Sequence, residues 1–226
     1  MKRNNMKKRT ARWMAAGLAV VLLVNLLFPL LASAAGTEDG TIHIQSQDDL
    51  CALAENCRLD TWSQNKTVIL DKDIVLDENA QDFLPIPTFG GTFEGGSHTI
   101  SGFSLTGEDS NAGLFDTLQE SAVVSHLKVV GQVMPSGASD TIGGIVGTNY
   151  GKLVDCSFEG AVKGKNSVGG LVGINETTGQ LIICSFQGTV TGEHYVGGIA
   201  GQNTGSLIQC RNDGEINTTA VEVSAN

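Results

Sequence analysis

Bases, aromatic residues and long apolar runs are all scarce in this chain once its first 34 residues are set aside. Six of the 14 Lys and Arg fall within residues 1–34 and none of the 24 Asp and Glu do, which leaves eight bases against 24 acids, a net −16. That balance excludes binding to nucleic-acid backbones, which takes clustered Lys and Arg. It suits an exported protein and permits, without requiring, divalent cations. Of two tryptophans, Trp13 lies in the leader and Trp62 stands alone, so there is no aromatic platform for stacking sugars. The four histidines, His43, His98, His126 and His194, are scattered and form no His-Glu-x-x-His, the helical zinc-peptidase signature. After Leu31 no apolar run is long enough to cross a bilayer.

The leader itself reads as a secretory signal. Lys2, Arg3, Lys7, Lys8, Arg9 and Arg12 precede an apolar stretch from Met14 to Leu31, and Ala32-Ser33-Ala34 supplies the small residues of a cleavage site. An uncleaved anchor is the rival reading; Pro29 and the Ala-x-Ala site favour cleavage. No Cys follows closely enough to carry a lipid, since the first is Cys51.

What is plentiful is glycine, 29 residues of it, and it recurs in a pattern. Ile142-Gly-Gly-Ile-Val-Gly147 returns as Val168-Gly-Gly-Leu-Val-Gly173 and as Val196-Gly-Gly-Ile-Ala-Gly201. Ala112-Gly-Leu-Phe115 and Phe89-Gly-Gly-Thr-Phe93 read as degenerate copies. Each block is followed by apolar residues spaced three, two and two apart and ending on Gly. The series runs Ile100-x-x-Phe103-x-Leu105-x-Gly107, Val124-x-x-Leu127-x-Val129-x-Gly131, Leu153-x-x-Cys156-x-Phe158-x-Gly160, Leu181-x-x-Cys184-x-Phe186-x-Gly188 and Leu207-x-x-Cys210-x-Asn212-x-Gly214.

Alternation puts every second side chain on one face of a strand. A copy this short cannot bury that face alone, but stacked copies can, each strand pairing with its equivalent about 4.8 Å along the axis. The expected fold is all-β: a right-handed parallel β-helix of about five coils. Phe103, Leu127, Cys156, Cys184 and Cys210 should stack in one inward column, and Leu105, Val129, Phe158 and Phe186 in another. Gly107, Gly131, Gly160, Gly188 and Gly214 should mark corners. Upstream, Ser46 through Ala54 predicts a short helix capping the first coil, with Ser46 as N-cap, Asp48 and Asp49 in the first turn, and Leu50, Leu53 and Ala54 on one face. Thr67 to Leu76 reads as strand. The resulting division is 1–34 signal peptide, 35–88 linker, capping helix and first strands, 89–216 repeats, and 217–226 tail.

Val-Gly-Gly-Leu-Val-Gly followed by Gly-x-Leu-x-x-Cys-x-Phe-x-Gly-x-Val resembles the GLUG-motif repeat across roughly residues 89–216. That resemblance implies an exported or surface protein of bacteria, of the kind found in adhesins and in β-helical regions of IgA-specific metallopeptidases. The peptidase chemistry of such proteins has no matching residues here.

Candidate chemistry is thin. Cys156, Cys184 and Cys210 share one inward register and read as free core thiols, although neighbours in a column lie within disulfide range and export favours oxidation. A zinc site there would want a fourth ligand. Cys51 and Cys57 are too far apart to bridge along one continuous helix; they meet only if the helix stops near Glu55 and Cys57 folds back. Asp71, Asp73 and Asp77 lack the Gly of a calcium loop and read as solvated acids. β-Helical polysaccharide lyases and hydrolases need clustered acids with a base, or paired carboxylates. Lys128, Lys152, Lys163, Lys165 and Arg211 supply few bases, and Asp155 meets Ile183 and Gln209, not acids, at the equivalent positions. The glycine blocks lack the Gly-Lys-Ser/Thr of a phosphate loop, and Asn65, Asn175 and Asn217 head glycosylation sequons that read as turns.

The sequence therefore points to a secreted or cell-surface, non-catalytic module, adhesive or structural in role, with no cofactor, no catalytic or metal residues, no nucleic-acid partner and no membrane span after cleavage. Its partner would be an extracellular protein or glycan. A stalk or accessory module of a larger exported peptidase or polysaccharide-active enzyme is the alternative, which the lack of a cap or sorting motif before Asn226 favours; a β-helical carbohydrate enzyme is the third reading.

Overall fold

The structure, a computed structural model, describes residues 40–77, 85–108, 111–137 and 140–217, all within one compact unit; the leader at 1–34 and the tail beyond Asn217 lie outside the described residues. No helix among the described residues is long and apolar enough to cross a membrane.

The chain winds as a right-handed parallel β-solenoid of about six turns, and every inter-strand pairing joins one coil to the next in parallel. Four sheets run along the axis. The first holds Thr41–Ile44, Thr67–Leu70, Thr92–Glu94, Val123–Ser125, Lys152–Val154, Gln180–Ile182 and Ser206–Ile208. The second holds Ile74–Val75, Thr99–Leu105, Lys128–Val133, Ser157–Lys163, Ser185–Thr191 and the pair Arg211–Asn212 and Glu215–Ile216. The third is Asn111–Ala112, Thr141–Gly143, Asn166–Gly169 and His194–Gly197; the fourth is Ile86–Phe89, Phe115–Leu118, Val146–Asn149, Val172–Asn175 and Ala200–Asn203. Coiling thus begins at Thr41, upstream of the recognisable repeats, because Thr41–Ile44 pairs with Thr67–Leu70 in the same register as later coils. That accounts for a coil beyond the five expected.

Helix α1 spans Gln47–Asn56. Ser46 is its N-cap, accepting the Asp49 N–H at 3.2 Å, while the Asp49 carboxylate accepts the Gln45 N–H and the Ser46 hydroxyl in return. Leu50, Leu53, Ala54 and Cys57 are buried. The helix lies over Ile42 and Ile44 and is tied to the second coil by Asp77 N–H donating to Gln47 Oε1. An apolar helix face closes the first coil.

The inward ladders form, with one shift. Val129, Phe158 and Phe186 stand in register, as do Val133, Val162 and Val190, and the Phe158 and Phe186 rings stack 6.3 Å apart at 9°. Burying each such ring contributes about 2–3 kcal/mol. The column continuing Cys156 and Cys184 backward reaches Leu127 but not Phe103. Strand Thr99–Leu105 has one residue more than its neighbour, a bulge at Gly102 (φ +74°), so Ile100 faces Val129, Phe103 faces Gly131 and Leu105 faces Val133. The position above Leu127 falls to His98, whose carbonyl accepts the Lys128 N–H. Phe93, not Ile100, precedes Val124, Leu153 and Leu181 in their column, which begins at Ile42 and Val68.

Two glycine assignments also change. Ala112 pairs with Ile142, so its block is a true copy, but Phe89 pairs with Leu118, which makes Gly90-Gly91 a turn between the fourth and first sheets. Gly131, Gly160 and Gly188 do stack, in mid-strand and not at corners. A Cβ on Gly160 would sit 1.8 Å from the Gly131 carbonyl oxygen, at φ +146°, so a side chain is excluded. The paired glycines of the repeat serve a different packing need: a Cβ on Gly144 or Gly170 would lie 2.4 Å from the ring of Phe158 or Phe186, respectively.

Candidate functional site

The structure brings together three groups of polar or reactive side chains and one apolar surface. The first group was not foreseen. Gly-x-Asn ends the last three fourth-sheet strands, placing Asn149, Asn175 and Asn203 in register. Asn149 Nδ2 donates to Asn175 Oδ1 at 2.8 Å, and Asn175 Nδ2 donates to Asn203 Oδ1 at 2.7 Å. Asn149 and Asn175 are fully buried, and their second amide protons meet the carbonyls of Gly151 and Gly179. This is a directional amide ladder that locks coils in register. The sequon at Asn175 is buried within it; Asn65 and Asn217 lie in turns at φ 60° and 47°.

The cysteine column forms in the register the sequence implied, with Cys156 and Cys184 buried and Cys210, in the last coil, half-buried. Cys156, Cys184 and Cys210 form no disulfide, and neither do Cys51 and Cys57. Each thiol of the column donates to a carbonyl of the preceding coil: Cys156 to Val124, Cys184 to Leu153 and Cys210 to Leu181, at 3.4–3.6 Å. The hydrogen bond with Cys184, reinforced by burial, holds the Cys156 thiol protonated well above the usual range. Cys57, at the end of unbroken α1, is pushed by burial to about 11, against the opposing Ser63 hydrogen bond and Lys66 charge. These are structural thiols.

The third group is a row of His–carboxylate pairs along the edge between the first two sheets. His43 Nδ1–H donates to Asp71 (2.8 Å), His98 Nδ1–H to Asp73 (3.3 Å) and His126 Nδ1–H to Glu94 (2.9 Å). A carboxylate accepts only, which fixes the proton on Nδ1. Each pair joins one coil to the next, so Asp71 and Asp73 are inter-coil links and not merely solvated. Asp71 lies below the ordinary carboxylate range because of the His43 hydrogen bond and that from Gln45. Asp73 is lowered by the Thr99 N–H, then by His98. Partial burial pushes Glu94 up, yet the Gly96 N–H, the Ser125 hydroxyl and His126 together bring it down. Among the described residues no three His, Cys, Asp or Glu converge to hold a metal ion.

The surface is apolar. Val154, Ile182 and Ile208 face outward in register on the first sheet, with Ile183 beside them, and Ile208 and Ile183 are about half exposed. Ile183 occupies the left-handed position that His126, Asp155 and Gln209 occupy in their coils, which turns these side chains outward. Asp155 therefore stands apart from other acids. Lys128 pairs with Glu159 across the second sheet and Arg211 with Asp213 in the last coil. A shallow groove of about 460 Å³ on the second sheet is lined by Gly102, Phe103, Ser104, Gly131, Gln132 and Ala161, with Gln132 donating to Ser104. Its lining carries no titratable group. Chemically, such a surface can bind; it presents no nucleophile beside a base.

No protein-family model matches the chain. Over 153 residues, 62% of the chain, it is 29% identical to halomucin of Haloquadratum walsbyi, and that stretch is 2% of halomucin's length. An immunoglobulin A1 protease-like protein of Bacteroides ovatus, known from its crystal structure, superposes with a TM-score of 0.59 at 17% identity, covering 84% of this chain and 81% of that one. At that identity the likeness speaks for the fold.

Proposed function

We propose that the chain is an exported or cell-surface, non-catalytic β-solenoid module of the GLUG-repeat type that meets an extracellular protein or glycan along one side. The observation that carries this reading is the outward aliphatic row Val154–Ile182–Ile208, with Ile183. Buried apolar residues are accounted for by coil stacking, whereas a part-exposed, in-register aliphatic row on an acidic protein, about half exposed at Ile183 and Ile208, is a candidate contact surface. The leader sequence and the similarity to part of halomucin support an extracellular setting.

The test is binding of the purified protein to glycan arrays and extracellular-matrix proteins, with Ile182→Asp as the variant. Binding that survives Ile182→Asp, or no binding to any member of either set, counts against the reading. Turnover of acidic polysaccharides, with or without calcium, would overturn its non-catalytic part. A second reading, the stalk or accessory module of a larger exported enzyme, is favoured by one observation: the matched stretch is a small fraction of halomucin. Activity tethered to this solenoid in a longer gene product would establish it.

A further inference from the structure

The groove lies on the second sheet and the aliphatic row on the first, and the groove owes its shape to one residue. The bulge at Gly102 gives strand Thr99–Leu105 one residue more than Lys128–Val133. An insertion of that kind bends the strand and re-aims the side chains that follow it. Ser104, Gln132, Ala161 and Thr189 then stand in one register column, all exposed or half-exposed. Gln132 donates one amide proton to Ser104 Oγ at 3.1 Å. Its carbonyl oxygen, its second amide proton and the Ser104 hydroxyl proton are left for a ligand. Strands Lys128–Val133 and Ser157–Lys163 are each hydrogen-bonded to a strand on either side. The groove of about 460 Å³ is therefore formed before any ligand arrives.

We propose that this groove binds a neutral oligosaccharide lying along the solenoid axis. The inference rests on the reading of the chain as an exported, non-catalytic binding module, and adds to it a second site with a defined ligand class. The lining removes the other classes in turn. No Asp, Glu, His, Lys or Arg lines the groove, so a metal cation, a phosphate or a carboxylate meets no counter-charge. At its border Lys128 is neutralised by Glu159 at 2.8 Å. Outside the leader the chain carries eight bases against 24 acids, an excess that repels an acidic polysaccharide. An apolar anchor finds no pocket, since Phe103, the one large apolar residue of the lining, is itself 1% exposed. An extended peptide adds to an open strand edge, which the doubly paired strands deny it. What remains is amide, hydroxyl, glycine backbone and one methyl group, a surface matched to an uncharged ligand dense in hydroxyls. At about 4.8 Å per coil the column from Ser104 to Thr189 extends on the order of 14 Å, longer than a single sugar ring. With no aromatic ring to stack on a sugar face, binding is weak and is best read in solution.

The experiment follows the amide resonances of the isotope-labelled protein while cellohexaose, xylohexaose, mannohexaose or hexagalacturonate is added, in separate titrations, into the millimolar range. The expected result is a saturable shift of the Gly102, Gly131 and Gln132 amides with at least one neutral hexasaccharide and none with hexagalacturonate. Gln132→Ala should weaken that binding about fivefold. Ala161→Leu, which fills the groove, should abolish it, and the rest of the spectrum should stay in place in both variants. Leu59→Asp, exposed just beyond α1, should change nothing. Silence at the groove amides with every neutral probe overturns the proposal, as does binding indifferent to both groove variants. So does hexagalacturonate bound as tightly as the neutral chains. Shifts at Val154 and Ile182 in place of the groove would overturn it too, while supporting the first-sheet row, so the two readings fail separately. Groove binding of this strength escapes a washed array, and the array result with Ile182→Asp continues to report on the row alone.

Discussion

Single positions carry unequal shares of this fold, and Asn175 carries more than its polarity suggests. It is fully buried, donates to Asn203 and accepts from Asn149. Asn175→Ala leaves the Asn149 amide without its acceptor inside the core and removes a second inter-coil bond. The expected loss is about 2–3 kcal/mol, read as a lower urea midpoint. Asn203→Ala, at the half-open end of the same ladder, should lose less than half as much, and equal losses would mean the ladder does not act by burial. The thiols allow a complementary check. Cys57 is buried with its pKa raised to about 11, and Cys156 is buried and held protonated, whereas Cys51 and Cys210 are half-buried. Native alkylation at pH 8 should therefore modify Cys51 and Cys210 first, by mass spectrometry; early modification of Cys57 or Cys156 would contradict the packing around them.

Individual strands and turns explain which features could be read from sequence. The glycine blocks and the Leu-x-x-Cys-x-Phe-x-Gly series mark coils four to six because their strands match residue for residue. The third coil was misaligned because one extra residue at Gly102 slides everything after it, and a bulge has no signature in alternation alone. The asparagine ladder was legible in principle, since Gly-x-Asn closes each of the three full glycine blocks at Asn149, Asn175 and Asn203. The His–carboxylate row was not, because its partners lie 28, 25 and 32 residues apart and meet only once the coils are stacked. That row gives the N-terminal coils a pH dependence with a definite sign. Asp71, Asp73 and Glu94 have folded-state values below their ordinary ones. Their stabilisation is complete above the ordinary carboxylate range, about pH 4, and is lost as pH falls through the lowered folded values. Trp62, with Lys66 over its ring, sits among these coils and reports on them. On acidification its emission should change before the far-ultraviolet signal of the remaining coils. Asp71→Asn combined with Glu94→Gln should remove that early step, whereas an unchanged step in the double variant would assign it elsewhere.

For the molecule as a whole, the question is whether coils are interchangeable units or parts of one indivisible core. Each coil touches mainly its two neighbours, so stability should approximate a sum of coil and interface contributions. The registers make this testable, because Lys152 pairs with Gln180, Phe158 with Phe186, Gly160 with Gly188 and Asn149 with Asn175, itself paired with Asn203. Removing residues 152–179 joins Gly151 to Gln180 and sets Val124 against Leu181, Val129 against Phe186, Gly131 against Gly188 and Asn149 against Asn203. Every ladder closes again, with one rung fewer. The shortened protein should fold with the same β-sheet signal per residue, and its urea m-value should fall with the surface no longer buried. Removing residues 152–165 instead would place a third-sheet strand where a first-sheet strand belongs, breaking the glycine stack and the amide ladder together. That chain should not fold cooperatively. If both deletions folded equally well, the column-by-column register would not be what holds the solenoid together; if neither folded, its coils would not be independent units.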